Sequence, residues 1–387
     1  MQRIQLTPRP DWVSQAESYG FHFHTLEGEP YWDETAAYQF SLREIEEEIE
    51  APTETLHVMC MELVAEVVAS ERLMTQLAIP DRAWDLIAES WKFSEPSLYG
   101  RMDFCYNGQA PAKFYEYNAD TPTSLYETGF FQWLWLEQQV ARGQLPQEAD
   151  QYNRLQEALI ERLELIGRAG QALHLACCRD HPEDAGTIQY LADCAEQAGL
   201  KPSSLFMDEL GLNGQGRFVD LDDRPVDQLF KLYPWEWIWQ EAFSEAIAEG
   251  GTQFVEPPWK LILSNKGILP LLWERHPGHP NLLPAWFENE VANGANVERW
   301  VRKPLFSREG ANISVETSMG VESVVEGPYG DCPTIIQSWC PPPQFAGNYC
   351  LIGSWVVGSE AVAMGIREDS SVITKDTSRF VPHFICD

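Results

Sequence analysis

Arg101, Asp103, Glu116 and Asn118 sit in two short alternating segments, 99–106 and 113–118, that flank the turn-forming residues NGQAP. The pattern predicts a β-hairpin. Residues two apart in a strand face the same side, so Arg101 shares a face with Asp103, and Glu116 with Asn118. Symmetric pairing about the turn sets 103 opposite 116 and 101 opposite 118, and all four side chains converge. Two carboxylates directly opposite on a sheet repel, and a divalent cation between them reverses that cost. Two carboxylates and an amide oxygen are hard ligands. They are too few for a calcium cage and suit magnesium completed by water and substrate phosphates, with Arg101 beside them for the same anion. Two other readings give the same pattern. One is a surface hairpin in which Arg101 pairs with the acids. The other is a carboxylate pair for glycoside hydrolysis, which the 15 Trp would suit, although Arg and Asn neighbours fit phosphate and metal better than a raised-pKa acid.

Basic residues are scarce, so their positions carry information. Lys303 lies in VRKPLFSREGANIS (301–314), a predicted strand followed by a loop with Ser307, Arg308, Glu309, Gly310 and Asn312. Such a loop offers backbone N–H groups and side-chain donors to phosphate oxygens, as would Lys266 in SNKGILP. It is not a Walker A loop. An ordinary hairpin loop, a surface lysine at 266, and an Arg367 paired with Glu368 or Asp369 are the plainer readings. Magnesium ligands, two lysines and a loop together make a nucleotide site outside the P-loop class. His22, His24, His276 and His279 lack the further ligand that a zinc site needs.

The elements that position these groups follow from periodicity. Residues 33–71 read as acidic and helical, with Ser41 and Glu44 at capping-box spacing. Apolar residues from Leu56 to Val68 mark one buried face, and Glu46-Glu47-Glu48 a solvated one. Ser124 and Glu127 repeat the capping-box spacing before a helix through Trp135, and 151–169 reads as another amphipathic helix. Strands at 172–177 and 204–208 around a helix at 184–199 form a βαβ unit, with a third strand at 229–233. EPPWK (256–260) marks the return to the main domain. Strands follow at 299–305, 334–340, 349–357 and 361–367, with a hairpin turn at 357–360. The expected division is a helical N-terminal part (1–96), a catalytic domain (97–170 and 256–387) and an inserted βαβ lobe (171–255).

The chain has 387 residues, and 27 Lys plus Arg against 59 Asp plus Glu leave a net charge of −32. That balance excludes a nucleic-acid footprint and an anionic membrane surface as partners. Its plain meaning is solubility. The sharper one is a field that attracts cations such as amines or magnesium. A hydrophobic fraction of 44% and 12% aromatics argue for a large core. Nine cysteines with no C-x-x-C pair point to a reduced, cytoplasmic protein. No secretory signal or membrane span is visible.

KFYEYNADTPTSLYE (113–127), FKLYPWEW (230–237), SNKGILPLLW (264–273), VRKPLFSREGANIS (301–314), LIGSWVVG (351–358) and GIREDSSVITKDTSRFVPH (365–383) resemble the glutathionylspermidine synthase family, in particular its synthetase half and the bacterial acid–amine ligases. The resemblance covers nearly the whole chain. It implies a mixed α/β ATP-grasp fold in the permuted order of eukaryotic glutathione synthetase. It also implies an ATP-dependent ligase that joins a carboxylic acid, such as a glutathione-like peptide, to an amine such as a polyamine through an acyl phosphate. Carried over by motif, Asp103, Glu116 and Asn118 would hold magnesium, as two ions. Arg101 and Arg367 would act on the transferring phosphoryl group. Lys266, Lys303, Ser307, Arg308, Glu309, Gly310 and Gln337 would hold ATP. Thr121 falls at the acid substrate and Glu236 at the amine. The family presents two adjacent acids near 236, where this chain has Glu236-Trp237. The chain starts with the ligase part, so no amidase activity is expected. A nucleotide-binding protein without catalysis and an acidic polyamine-binding protein are the competing functions.

Overall fold

The computed structural model describes residues 1–26, 28–290, 298–375 and 377–387. The hairpin forms from Tyr99–Cys105 and Lys113–Asn118 in the expected register, Arg101 opposite Asn118 and Asp103 opposite Glu116. Its first strand, buried throughout, lies inside a six-stranded antiparallel sheet and its second forms that sheet's edge, so the hairpin is not a free surface hairpin. Asn348–Val357 pairs with Tyr99–Cys105, followed outward by Glu360–Asp369 and Arg379–Val381. Late strands therefore flank the early hairpin. Alternation sends Met102 and Phe104 into the core under the Ala51–Val68 helix, where full burial contributes about 1.5–3 kcal/mol each. The register breaks just past the acids. Phe104 opposes Phe114, so Tyr115 is the extra residue of a bulge, the device that re-aims a side chain.

A second antiparallel sheet runs Ala285–Phe287, Thr334–Ser338, Arg299–Pro304, Ser314–Thr317 and Gly320–Val324. It carries Lys303 and Gln337 on neighbouring strands. The inserted lobe is a parallel sheet in the order Gln253–Val255, Gln228–Leu232, Ala172–Cys177, Lys201–Phe206. Its two inner strands are almost wholly buried, as helices on a parallel sheet require. Lys201–Phe206 starts and ends earlier than the expected 204–208, because its ladder follows Ala172–Cys177 residue for residue. The helix beside it spans Pro182–Gln197.

The N-terminal part is not wholly helical. Ala36–Phe40 is a strand between Gln2–Gln5 and His383–Ile385, tying the two ends of the chain together. The Ser41–Glu44 capping box forms. The Ser124–Glu127 one does not: Ser124 has φ 67° rather than the extended backbone of an N-cap, its hydroxyl donates to the Thr123 carbonyl, and buried Glu127 instead accepts from the Tyr31 hydroxyl.

Two histidines are locked neutral in the core. Burial holds His57 at about 4, helped by Lys260, and His383 at about 3. An unfolded histidine titrates near 6.5, so between those values the unfolded chain binds the extra proton and stability falls as pH falls. Buried Glu127 and Asp184, raised to about 8 and about 7, slope the other way. A comparison with His383→Gln isolates the histidine. Below about pH 6.5 wild-type stability is expected to drop relative to that variant by roughly 1.4 kcal/mol per pH unit. Urea unfolding from about pH 7 to 5 measures it, and a constant difference would contradict it.

Candidate active site

The two antiparallel sheets and the inserted lobe enclose one cleft of about 1360 Å³, its open mouth included. That exceeds the roughly 300–1,000 Å³ of a pocket for one small ligand. All fourteen residues expected to carry chemistry line it except Lys266, which reaches its wall through Glu116 and Ser307.

At the hairpin, Arg101 bonds Asp103 through two nitrogens at 2.7 and 3.2 Å. Arg367 Nη2 donates to the same carboxylate at 2.9 Å. Arg367 therefore does not pair with Glu368, which is held by Arg3, Tyr38 and Arg379. Gly353 lies opposite Asp103, and a Cβ there would stand 2.6 Å from Arg101 Cδ. Only glycine lets the guanidinium stem cross this strand. Asn118 donates to Asp103 at 3.1 Å and to Glu116 at 3.4 Å.

Lys266 is buried, not on the surface. Its ammonium meets Glu116 at 3.2 Å and donates to the Ser307 carbonyl at 2.8 Å. Lys303 is equally buried and donates to the Tyr115 carbonyl at 3.0 Å, a contact made by the bulge. Burial pushes Lys303 down to about 8 against the pull of Glu116. Burial would raise Glu116, but Lys266 and Lys303 overcome it and hold that carboxyl at about 2. Four cations thus face two carboxylates, leaving positive charge uncompensated inside a strongly acidic chain. Such a cluster is complementary to a polyphosphate.

The 307–312 loop closes the wall. Glu309, Gly310 and Asn312 have positive φ. At Gly310 a Cβ would stand 2.6 Å from the Thr374 carbonyl. The Ser307 hydroxyl is buried with no hydrogen-bond partner among the described residues. Arg308 donates to the Thr121 carbonyl at 3.0 Å and lies 3.8 Å from Glu236. Gln337 is buried on the wall and donates to the Phe114 carbonyl at 3.3 Å.

Among the lining residues that escape the sequence reading are Tyr115, Tyr31 and Glu183. Tyr115 is turned inward by the bulge, which strand alternation does not reveal. Glu183 had a usable signal. Successive crossovers leave Ala172–Cys177 and Gln228–Leu232 in opposite directions, toward Lys201–Phe206 on one side and Gln253–Val255 on the other. In a parallel sheet the crevice for a ligand opens at the carboxyl ends of two such strands. Glu183 and Glu236 follow those two strands, and both line the cleft. Asp184 follows Glu183 in the chain. Burial raises Glu183, Glu236 and Asp184 above the usual carboxylate range, with Asp184 at about 7. One Glu236 oxygen is buried without a partner among the described residues.

The donor chemistry fits magnesium at Asp103 and Glu116, whose hard carboxylate oxygens share one face with the Asn118 amide. Among the described residues no group of three or more His, Cys, Asp or Glu could hold a metal. His22 and His24 pair with Glu17. No described helix is long and apolar enough to cross a membrane.

Comparison with known proteins follows this geometry. Residues 3–386 match the glutathionylspermidine synthase preATP-grasp family. The chain is 41% identical to a Haemophilus influenzae protein named for acid–amine ligase activity, over 99% of each. It is 31% identical to trypanothione synthetase of Crithidia fasciculata, over 84% of this chain and 53% of that one. It is 28% identical to the bifunctional glutathionylspermidine synthetase/amidase of Escherichia coli, over 87% and 57%. It thus spans nearly all of the first and just over half of the other two. Among solved structures, a glutathione-synthetase-like effector of Globodera pallida shares the fold, with TM-score 0.58 and 10% identity over 98% of each chain.

Proposed function

The chain belongs to the glutathionylspermidine synthase preATP-grasp family and is an enzyme of the acid–amine ligase kind, and we propose that it forms an amide from a carboxylic acid and an amine with ATP, through an acyl phosphate, on an ATP-grasp scaffold. The observation that carries this reading is the buried cluster of Arg101, Arg367, Lys266 and Lys303 set against two carboxylates in a chain of net charge −32.

Lys266 and Lys303 bind the ATP phosphates, the 307–312 loop covers them, and Gln337 lies by the base. Arg101 and Arg367 neutralise charge as the acid's carboxylate oxygen attacks the γ-phosphorus and ADP leaves. Asp103, Glu116 and Asn118 would hold magnesium, which would supply further charge neutralisation. Thr121 and the Arg308 guanidinium orient the acid. Glu183 and Glu236 hold the ammonium side of the amine, whose nitrogen then attacks the acyl carbon and releases phosphate. A diamine or polyamine fits such acids, and a peptide-like acid fits the Thr121–Arg308 wall.

Phosphate release measured over a panel of acids and amines, with mass spectrometry of the products, tests the reading. At least one acid–amine pair is expected to release phosphate and yield one amide per phosphate. Nucleotide binding with no amide across the panel would contradict it, as would amine binding indifferent to ATP.

A further inference from the structure

Cys105 ends the strand that carries Arg101 and Asp103, and Cys340 lies two residues beyond the Thr334–Ser338 strand of the second sheet. Their sulfurs are 3.6 Å apart and share a hydrogen bond. They join two sheets that meet only around the cleft. Ser338, Trp339, Cys340 and Pro342 form one wall of it, next to Gln337. That wall is pinned by the Tyr115 hydroxyl, which donates to the Cys340 carbonyl, and by the Cys105 thiol, which donates to the Pro341 carbonyl at 3.3 Å. All nine cysteines are free.

We propose that Cys105 and Cys340 are a thiol–disulfide modification site that controls access to the nucleotide wall. The co-reactant is a low-molecular-weight disulfide. The division of labour is set by the surroundings. Cys340 lines the cleft, where a small reagent reaches it, while Cys105 is buried behind it. Cys340 is therefore the attacking thiolate and Cys105 the resolving one. The Cys340 thiolate, its proton lost to water, attacks the reagent disulfide, forms a mixed disulfide and expels one thiolate. Cys105 then gives up its proton and attacks the Cys340 sulfur, expelling the second. Two protein thiols are oxidised and one reagent disulfide is reduced to two thiols. A disulfide needs the sulfurs at about 2.05 Å, so the bond draws the 338–342 wall toward the hairpin sheet and narrows the cleft. The effect on nucleotide rests on the ligase reading; formation of the bond does not.

The full chain, reduced and then incubated with oxidised glutathione, tests the pair. Peptide mapping is expected to find a Cys105–Cys340 linked peptide. Calorimetry is expected to find ATP bound at least about tenfold more weakly than by the reduced chain, with recovery after dithiothreitol. ATP present during oxidation should slow the linkage, because it covers Cys340. Cys105→Ser, which cannot resolve the mixed disulfide, should form no linked peptide and should instead keep the reagent on Cys340, read by the same mapping. Absence of the linked peptide overturns the proposal, as does a linked chain that binds ATP as the reduced one does, or a folded Cys105→Ser that takes up no reagent on Cys340. Reduced protein that fails to bind ATP overturns the ligase reading instead.

Discussion

Glu116→Gln is expected to lower ATP-dependent ligation by about 10²–10³-fold, the range for losing one preorganised electrostatic partner of a transition state, in a protein that still folds. The carboxylate is fully charged at neutral pH because two buried lysines hold it at about 2. The amide keeps its shape and the donor contact of Asn118 but removes that charge. Two consequences separate this account from simple damage. The dependence of ATP binding on magnesium should flatten, because one of two hard carboxylates is gone. Lys303 should also lose its proton more readily, because Glu116 is the charge that opposes its desolvation. Titration of ATP by calorimetry at several magnesium concentrations, with circular dichroism for folding, checks both. Unchanged turnover in the variant would remove Glu116 from the site.

Lys303→Met is expected to cost a similar factor in turnover, about 10²–10³-fold, and to weaken ATP binding as well. The wild-type ammonium titrates at about 8 because it is buried. A triphosphate favours its charged form, so ATP binding takes up a proton once the free lysine has lost it. ATP affinity should therefore fall as pH rises through about 8, by up to about tenfold per unit. In Lys303→Met that fall should vanish while the weaker binding remains. Calorimetry at about pH 7 and 9 on both proteins makes the measurement. An identical alkaline slope in the variant would assign the titration elsewhere.

The register of the hairpin is legible because alternation and symmetric spacing about NGQAP leave one pairing that gathers four polar side chains. It holds through Asp103 and Glu116. The bulge at Tyr115 comes from the packing of Phe104 and Phe114 in the core, which no local pattern encodes. The Ser124–Glu127 spacing misleads for a related reason. A capping box needs an extended backbone at the serine, and Tyr31, distant in sequence, claims the glutamate. Lys266 reads as a surface lysine because a single ammonium in an apolar stretch says nothing about its partners, and those partners, Glu116 and Ser307, arrive from two other strands and loops. Glu183 escapes the motif reading that finds Glu236, because nothing in its local pattern marks it. The sheet order supplies the rule that places both.

The opening charge balance takes a definite form in the fold. The acid excess of the 42–68 helices lies largely at the surface, as at Glu46 and Glu47, while Arg101, Lys266 and Lys303 are each about 5% exposed. Their clustering around Asp103 and Glu116 is what an acyl phosphate would need. The most direct measurement uses the acid–amine pair found by the panel, with both carboxylate oxygens of the acid replaced by oxygen-18. If the carboxylate attacks the γ-phosphorus, each amide formed delivers one labelled oxygen to inorganic phosphate and keeps the other, as read by mass spectrometry of both products. Phosphate that emerges without label while amide forms would contradict the account.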